Sequence, residues 1–188
     1  MISKKLKIMK AVTQQLEGIT AAWTDIPYPE DWAADEKTPC PYDLSKSVFR
    51  GRLEFGDEVK EPFLVLLEAP RQLDPLGAGS GRLVSDEDWI LLVQGFAKDD
   101  KKHPLDPAYD LLAWTQMRLS RITTEKKNGG RGGLYPNEWR LGGLIADVRY
   151  QIPIVRPGKD NVSDTAYFYM PISVGNVTDL TMPFVQED

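Results

Sequence analysis

The sequence predicts an α+β fold, a mainly antiparallel sheet of about five strands with two helices packed on one face. Three observations predict it. Apolar residues recur at steps of three and four over residues 2–19 and again over 106–122, the spacing of a helix stripe. Strand-like runs occupy residues 48–55, 63–69, 89–97, 144–154 and 165–174. Successive strands are joined by turns, which makes sequence neighbours antiparallel partners.

The 188 residues suit one domain of ordinary size. Hydrophobic residues at 41% and charged residues at 27% are globular proportions. A net charge of −5 argues against a protein whose main task is gripping nucleic-acid phosphates, an affinity that comes from Lys and Arg, although a local basic patch is compatible with it. Cys40 is the one cysteine, so no intramolecular disulfide forms. No basic segment followed by an apolar run and a cleavage site opens the sequence, and a reducing cytosol is the expected place of folding. The longest apolar runs, 63–67 and 89–93, fall far short of the ~20 residues of a membrane-spanning helix, so no membrane association is expected.

In the first helix the stripe comprises Ile2, Leu6, Met9, Val12, Leu16 and Ile19, with Lys4, Lys5, Lys7 and Lys10 outside it and Gly18 placed as a stop. Lysines at a helix start oppose its dipole, so this end is expected to fray or to be held by a partner. Residues 23–43 carry four prolines and six acidic side chains without periodicity, and read as a long acidic loop within about 23–45. Its aromatics, Trp23, Tyr28, Trp32 and Tyr42, favour packing over free disorder.

The strand at 48–55 alternates, with Phe49, Leu53 and Phe55 opposite Arg50, Arg52 and Glu54, and is expected to be half-exposed. The next two runs are apolar on both faces and suit central strands. Between them, Gly77, Gly79 and Gly81 mark a longer, mobile excursion at about 71–86. Asp106-Pro107 is a strong helix start, in which Asp accepts bonds from first-turn amides and Pro loses none. Its buried stripe is Ala108, Leu111, Leu112, Thr115, Leu119 and Ile122, and glycines from Gly129 to Gly133 are expected to end it, within a loop at about 127–141. The last two strands alternate, Leu144, Ala146, Val148, Tyr150 and Ile152 sharing one face, and 178–188 reads as a tail that docks elsewhere. The outer face of the sheet is left to meet another subunit.

The search for chemistry returns little. His103 is the only histidine, in a charged turn with no second imidazole and no nucleophile beside it, and reads as a solvated loop residue. Cys40, between two prolines, has no neighbouring cation to activate it. The glycine run 77–82 lacks the Gly-Lys-Ser/Thr ending and the helix of a phosphate loop. Acidic residues never take calcium-loop spacing. The basic glycine segment 128–133, flanked by Lys126, Lys127 and Arg140, is either a plain solvated loop or a contact for DNA or an acidic surface. The protein is therefore expected to be no enzyme and to need no cofactor and no metal.

Residues 89–114, in which an apolar strand ends in Gln94-Gly95-Phe96, a charged turn follows and Asp106-Pro107-Ala108-Tyr109 opens a helix, resemble tail terminator (tail completion) proteins of long-tailed bacteriophages. Val48-Phe49-Arg50-Gly51-Arg52 and the first helix look similar too, so the resemblance extends over about residues 1–155. It implies a virion protein, assembled in the host bacterial cytoplasm. Its subunits form a ring, commonly a hexamer, that stops tail-tube polymerisation and joins the tail to the head-side neck. Implied partners are the chain itself, the tail tube protein and a head-side connector protein, with genomic DNA passing through without sequence-specific binding. The acidic loop, the glycine loop and the C-terminal hairpin depart from the family pattern and leave open a neighbouring connector ring. A monomeric host-directed binding module is the alternative of another class. Expected contact residues are Arg50, Arg52, Arg71, Arg82, Lys127, Arg131, Asp31, Asp35 and Glu36, with the acidic loop and the segment 126–140 pairing between adjacent subunits.

Overall fold

The computed structural model describes residues 1–56, 58–69, 84–126, 132–158, 164–179 and 181–187. Its chain forms a sheet of six strands, mainly antiparallel, with helices against one face. Arg71, Arg82, Lys127 and Arg131 lie outside the described residues, as do the glycine run at 77–82 and most of the loop expected at 71–86.

The chain begins with β1 (Ile2–Ser3) and turns directly into α1 (Lys4–Glu17), where the Ser3 hydroxyl accepts from the Leu6 amide at 3.2 Å and satisfies one free first-turn donor. Ile8, Val12 and Leu16 are buried, with Ile19 just beyond. Two residues of the expected stripe are corrected. Ile2 is buried from a strand, and Leu6 is 45% exposed because it sits roughly 160° around the helix from Ile8. The lysine-rich start is held by the chain's own end. Lys4 N donates to the Pro183 carbonyl at 3.0 Å, and β8 (Phe184–Val185) pairs antiparallel with β1. Lys7 Nζ donates to the Gln186 carbonyl at 2.7 Å, and Lys10 meets Glu187 at 2.6 Å.

The large sheet contains β2 (Val48–Arg50), β3 (Phe63–Glu68), β4 (Val84–Lys98), β5 (Val148–Tyr150), β6 (Ile154–Arg156) and β7 (Thr165–Asp179). The order is β2-β3-β4-β7-β5, and β6 also pairs with β7. The first strand is shorter than 48–55 and runs parallel to β3, against the antiparallel expectation. The connection 51–62 supplies the dozen residues a parallel return needs, and Phe55 packs its ring 4.7 Å from Phe63 on the way. At the centre β4 and β7 pair without interruption from Val84↔Asp179 to Lys98↔Thr165. Both outrun their apolar segments, because a continuous partner supplies backbone bonds even to Ser85, Asp86 and Glu87, residues of low strand propensity.

The strand expected over 144–154 is split. Val148 lies opposite Val174 and Tyr150 opposite Ile172, yet Ile154 lies opposite Tyr169, so residues 151–153 face only 170 and 171. This one-residue bulge, at Pro153, reverses the side-chain parity. Val155 packs on the core where the alternation pointed to Ile154, and Ile152 is 88% exposed.

Helix α2 (Asp106–Ser120) buries Ala108, Leu111, Leu112, Thr115 and Leu119, with Ile122 buried just past its end. Its cap is Leu105, without a side-chain bond, so Asp106 is the first helical residue and not the cap. The helix stops at Arg121, well before the glycines. α1 packs on β2 and β3, and α2 on β4, β6 and β7. Leu64, Leu66, Leu91, Val93, Phe168, Met170 and Ile172 meet them from the sheet as one core.

A third helical segment, α3 (Arg140–Gly143), is a left-handed turn, with φ of 49°, 53°, 68° and 89° along its four residues. Left-handed helical backbone costs roughly 1–2 kcal/mol per non-glycine residue, which Arg140 and Leu141 bear. Burial of Leu141 and a 2.9 Å bond from Arg140 N to the Ile122 carbonyl hold the turn in place.

Candidate interaction surfaces

The helix-free face of the sheet carries a row of rings. Side chains alternate along a strand, so the residues between the core positions of β3, β4 and β7 point away from the helices. Phe63 and Phe96 stack at 4.7 Å between centroids. Phe55 lies 5.9 Å from Phe96, and Tyr167 continues the row 6.1 Å beyond Phe96. Phe49 closes the other end, 6.0 Å from Phe63. Ile90, Leu92, Phe96, Tyr167 and Tyr169 are only half-buried, and among the described residues no helix covers them.

Arg52 belongs to this row. Its guanidinium lies 5.3 Å from the centroids of Phe49 and Phe55 and pairs with Glu58, so it steadies the apolar face from within the chain. Arg50 is exposed at the end of the edge strand β2. Asp31, Asp35 and Glu36 are exposed on the acidic loop, where Ala34–Glu36 makes a single 3-10 turn and Glu36 Oε2 accepts the Ala33 amide at 2.7 Å. Among the described residues neither Arg50 nor Arg52 makes an ion pair with Asp31, Asp35 or Glu36; Arg52 pairs with Glu58.

A cluster absent from the expected residues lies at the end of α2. Arg121 is 4% exposed, with Nε 2.7 Å from Glu138 Oε2 and Nη2 2.8 Å from Glu138 Oε1, a bidentate pair. A further bond joins Nη2 to Asp25 Oδ2 at 2.7 Å, and the guanidinium plane lies 3.7 Å from the Tyr135 ring centroid. Arg118 lies over Trp23 and donates from Nε to the Gln15 carbonyl at 2.9 Å. Together these arginines tie α1, the loop start, α2 and the segment before α3. Asp25 is therefore paired inside its own chain, although the loop as a whole reads as a partner for a neighbour's cations. The available signal was the i, i+3 arginine pair beside the buried Thr115, Leu119 and Ile122, which composition treats as a dipole-favoured helix end.

The acidic loop and α2 enclose a cleft of about 540 Å³ lined by Tyr28, Trp32, Trp114, Met117, Glu36 and Asp110, with three prolines in its wall. Tyr28 and Trp32 stack at 5.9 Å, and Trp114 packs edge-on to Trp23. The Tyr28 hydroxyl donates to the Thr38 carbonyl, and the Tyr42 hydroxyl donates to Asp110. Burial beside that carboxylate pushes the Tyr42 phenol well above its ordinary pKa.

Cys40 is buried, and burial raises its thiol pKa above the ordinary value, so it offers no thiolate near neutral pH. His103 is exposed. Among the described residues no group of three His, Cys, Asp or Glu side chains is placed to hold a metal ion. No described helix is long and apolar enough to cross a membrane. Compared with known proteins, the sequence matches no family model and no curated protein.

Proposed function

We propose that this chain is a structural protein of a tailed bacteriophage, a tail terminator whose copies form a ring, a homohexamer, at the head-proximal end of the tail. The ring ends tube polymerisation, presents its other side to the neck, and lets genomic DNA pass without reading its sequence. The chain acts without catalysis or cofactor. The resemblance of residues 89–114 gives the reading its family. The observation that carries it is the ring row Phe49, Phe55, Phe63, Phe96 and Tyr167 on a sheet face that no described helix covers. Phe49, Phe55, Phe96 and Tyr167 are half-buried around the buried Phe63, and partly exposed apolar patches of this kind mark association sites.

The face suits self-association better than the sheet's edges do. β2 offers only three residues and ends in Arg50, and the opposite edge is interrupted by the bulge at Pro153. Short, charged or bulged edges are the usual defences against edge pairing. Native mass spectrometry and negative-stain micrographs of the purified protein test the proposal. A ring is expected from the wild type, and monomer from Phe96→Lys with an unchanged far-ultraviolet spectrum. A wild type that stays monomeric at high concentration, or particles lacking this chain whose heads and tails join normally, would refute it.

A further inference from the structure

We propose that the cleft between the acidic loop and α2 is a docking site for an arginine side chain carried on an extended segment of a different protein. The claim is independent of the ring, because the cleft lies on the helix side and the aromatic row on the far side of the sheet.

The chemistry of the lining selects a cation with an apolar stem. Tyr28, Trp32 and Trp114 supply ring faces, Met117 and the prolines supply apolar wall, and Glu36 and Asp110 are the charged residues of the lining, both acidic. A guanidinium over aromatic faces with a carboxylate at its rim is favoured on both counts, and its methylenes cover the apolar wall. Elsewhere the chain satisfies its rings in the same way from within: Arg118 covers Trp23, Arg121 covers Tyr135 and Arg52 covers Phe49. Among the described residues no cation lies over Tyr28, Trp32 or Trp114.

The site is pre-organised and open. The Tyr28 hydroxyl is anchored on the Thr38 carbonyl, a 3.2 Å bond from Trp32 N to the Pro29 carbonyl fixes the turn carrying the second ring, and Tyr42 holds the Asp110 carboxylate. Trp32 is nevertheless 44% exposed, a large apolar surface stacked on one side by Tyr28. The volume of about 540 Å³ exceeds one side chain and leaves room for flanking residues, which is why an extended segment fits better than a free amino acid.

The test is calorimetric titration with the blocked peptide acetyl-Leu-Pro-Arg-Pro-Leu-amide and its counterpart carrying uncharged citrulline for arginine. The arginine peptide is expected to bind about tenfold more tightly than the citrulline peptide. In Glu36→Gln/Asp110→Asn that preference disappears, and Trp32→Ala weakens the arginine peptide by about fivefold. All three substituted residues are exposed, and an unchanged thermal midpoint checks that each variant folds. Phe96→Lys, on the other face, is expected to bind the peptide as the wild type does. Equal affinity for the two peptides, no binding, or binding lost in Phe96→Lys would overturn the assignment. So would loss of self-association in Glu36→Gln/Asp110→Asn, which would give the cleft to a second copy of this chain.

Discussion

A β-carbon on Gly95 would stand 2.1 Å from Cε1 of Phe168, its direct cross-strand neighbour. The bare glycine backbone is the seat of that ring, which is fully buried. This gives a physical reason for the Gln94-Gly95-Phe96 step. Gln94 and Phe96 point to the outer face, and the residue between them vanishes so that Phe168 can lie flat under the helices.

Gly95→Ala is therefore expected to destabilise the protein by about 2 kcal/mol, the middle of the range for overpacking a filled core. Urea denaturation reads the change, and Phe168→Leu added to Gly95→Ala should recover part of it. Unaltered stability in Gly95→Ala would show that the ring has somewhere else to go.

The Arg121–Glu138 pair is nearly closed to solvent, with side chains 5% and 18% exposed. Glu138→Ala leaves a buried guanidinium with only Asp25 for a carboxylate and is expected to cost about 3 kcal/mol. The double replacement Arg121→Met/Glu138→Leu removes both charges and should lose much less, since a buried ion pair exchanged for apolar packing is often neutral. Denaturation midpoints of the three proteins decide it.

Acid should loosen the same cluster through Asp25. The hydrogen bond from Arg121 holds the Asp25 carboxyl below its ordinary 3.8. The folded pKa lies below the unfolded one, so the stabilisation is complete above about pH 4 and is lost as pH falls through the folded value. With the Asp25 side chain 60% exposed, solvent limits the effect to under about 1 kcal/mol. Asp25→Asn should be less stable than the wild type at neutral pH, and the gap should close in acid. A constant gap across the titration would contradict this origin.

Within α3, Gly142 has φ of 68° and open space around the position of a β-carbon. Gly142→Ala thus meets a backbone penalty alone, about 1 kcal/mol. Arg140→Gly, at φ of 49°, is the reverse exchange and should raise stability by up to about 1 kcal/mol, since strain relieved in the fold exceeds the freedom gained in the unfolded chain. Thermal unfolding of both variants distinguishes this backbone cost from a packing cost, under which Gly142→Ala would be silent.

Elements whose physics is local were legible. The α2 stripe emerged residue for residue, because a periodic row of apolar side chains has one way to be buried on a helix. The segments 63–69 and 89–97 announced central strands by being apolar on both faces. Ser3 as the cap of α1 and Leu6 facing outward were not separable by spacing alone, since several stripes fit the same run of lysines and apolar residues. The bulge was illegible for a related reason. Nothing before Pro153 says that three residues will face two, and a slip of one exchanges the faces of Val155 and Ile154.

The candidate surfaces divide along the same line. Asp31, Asp35 and Glu36 were visible as a solvated acidic loop because charge and proline content are properties of the segment itself. That Trp32 and Trp114 would face one cleft, 82 positions apart in the chain, and that Arg121 would meet Asp25 and Glu138, depend on how α2 is laid against the loop. By itself the sequence determined α1, α2 and the central strands, each a matter of periodicity within a short window. Only the tertiary structure decided the parallel pairing of β2, the register past the bulge and which aromatics are covered, because these depend on contacts between segments far apart in the chain, which leave no local pattern.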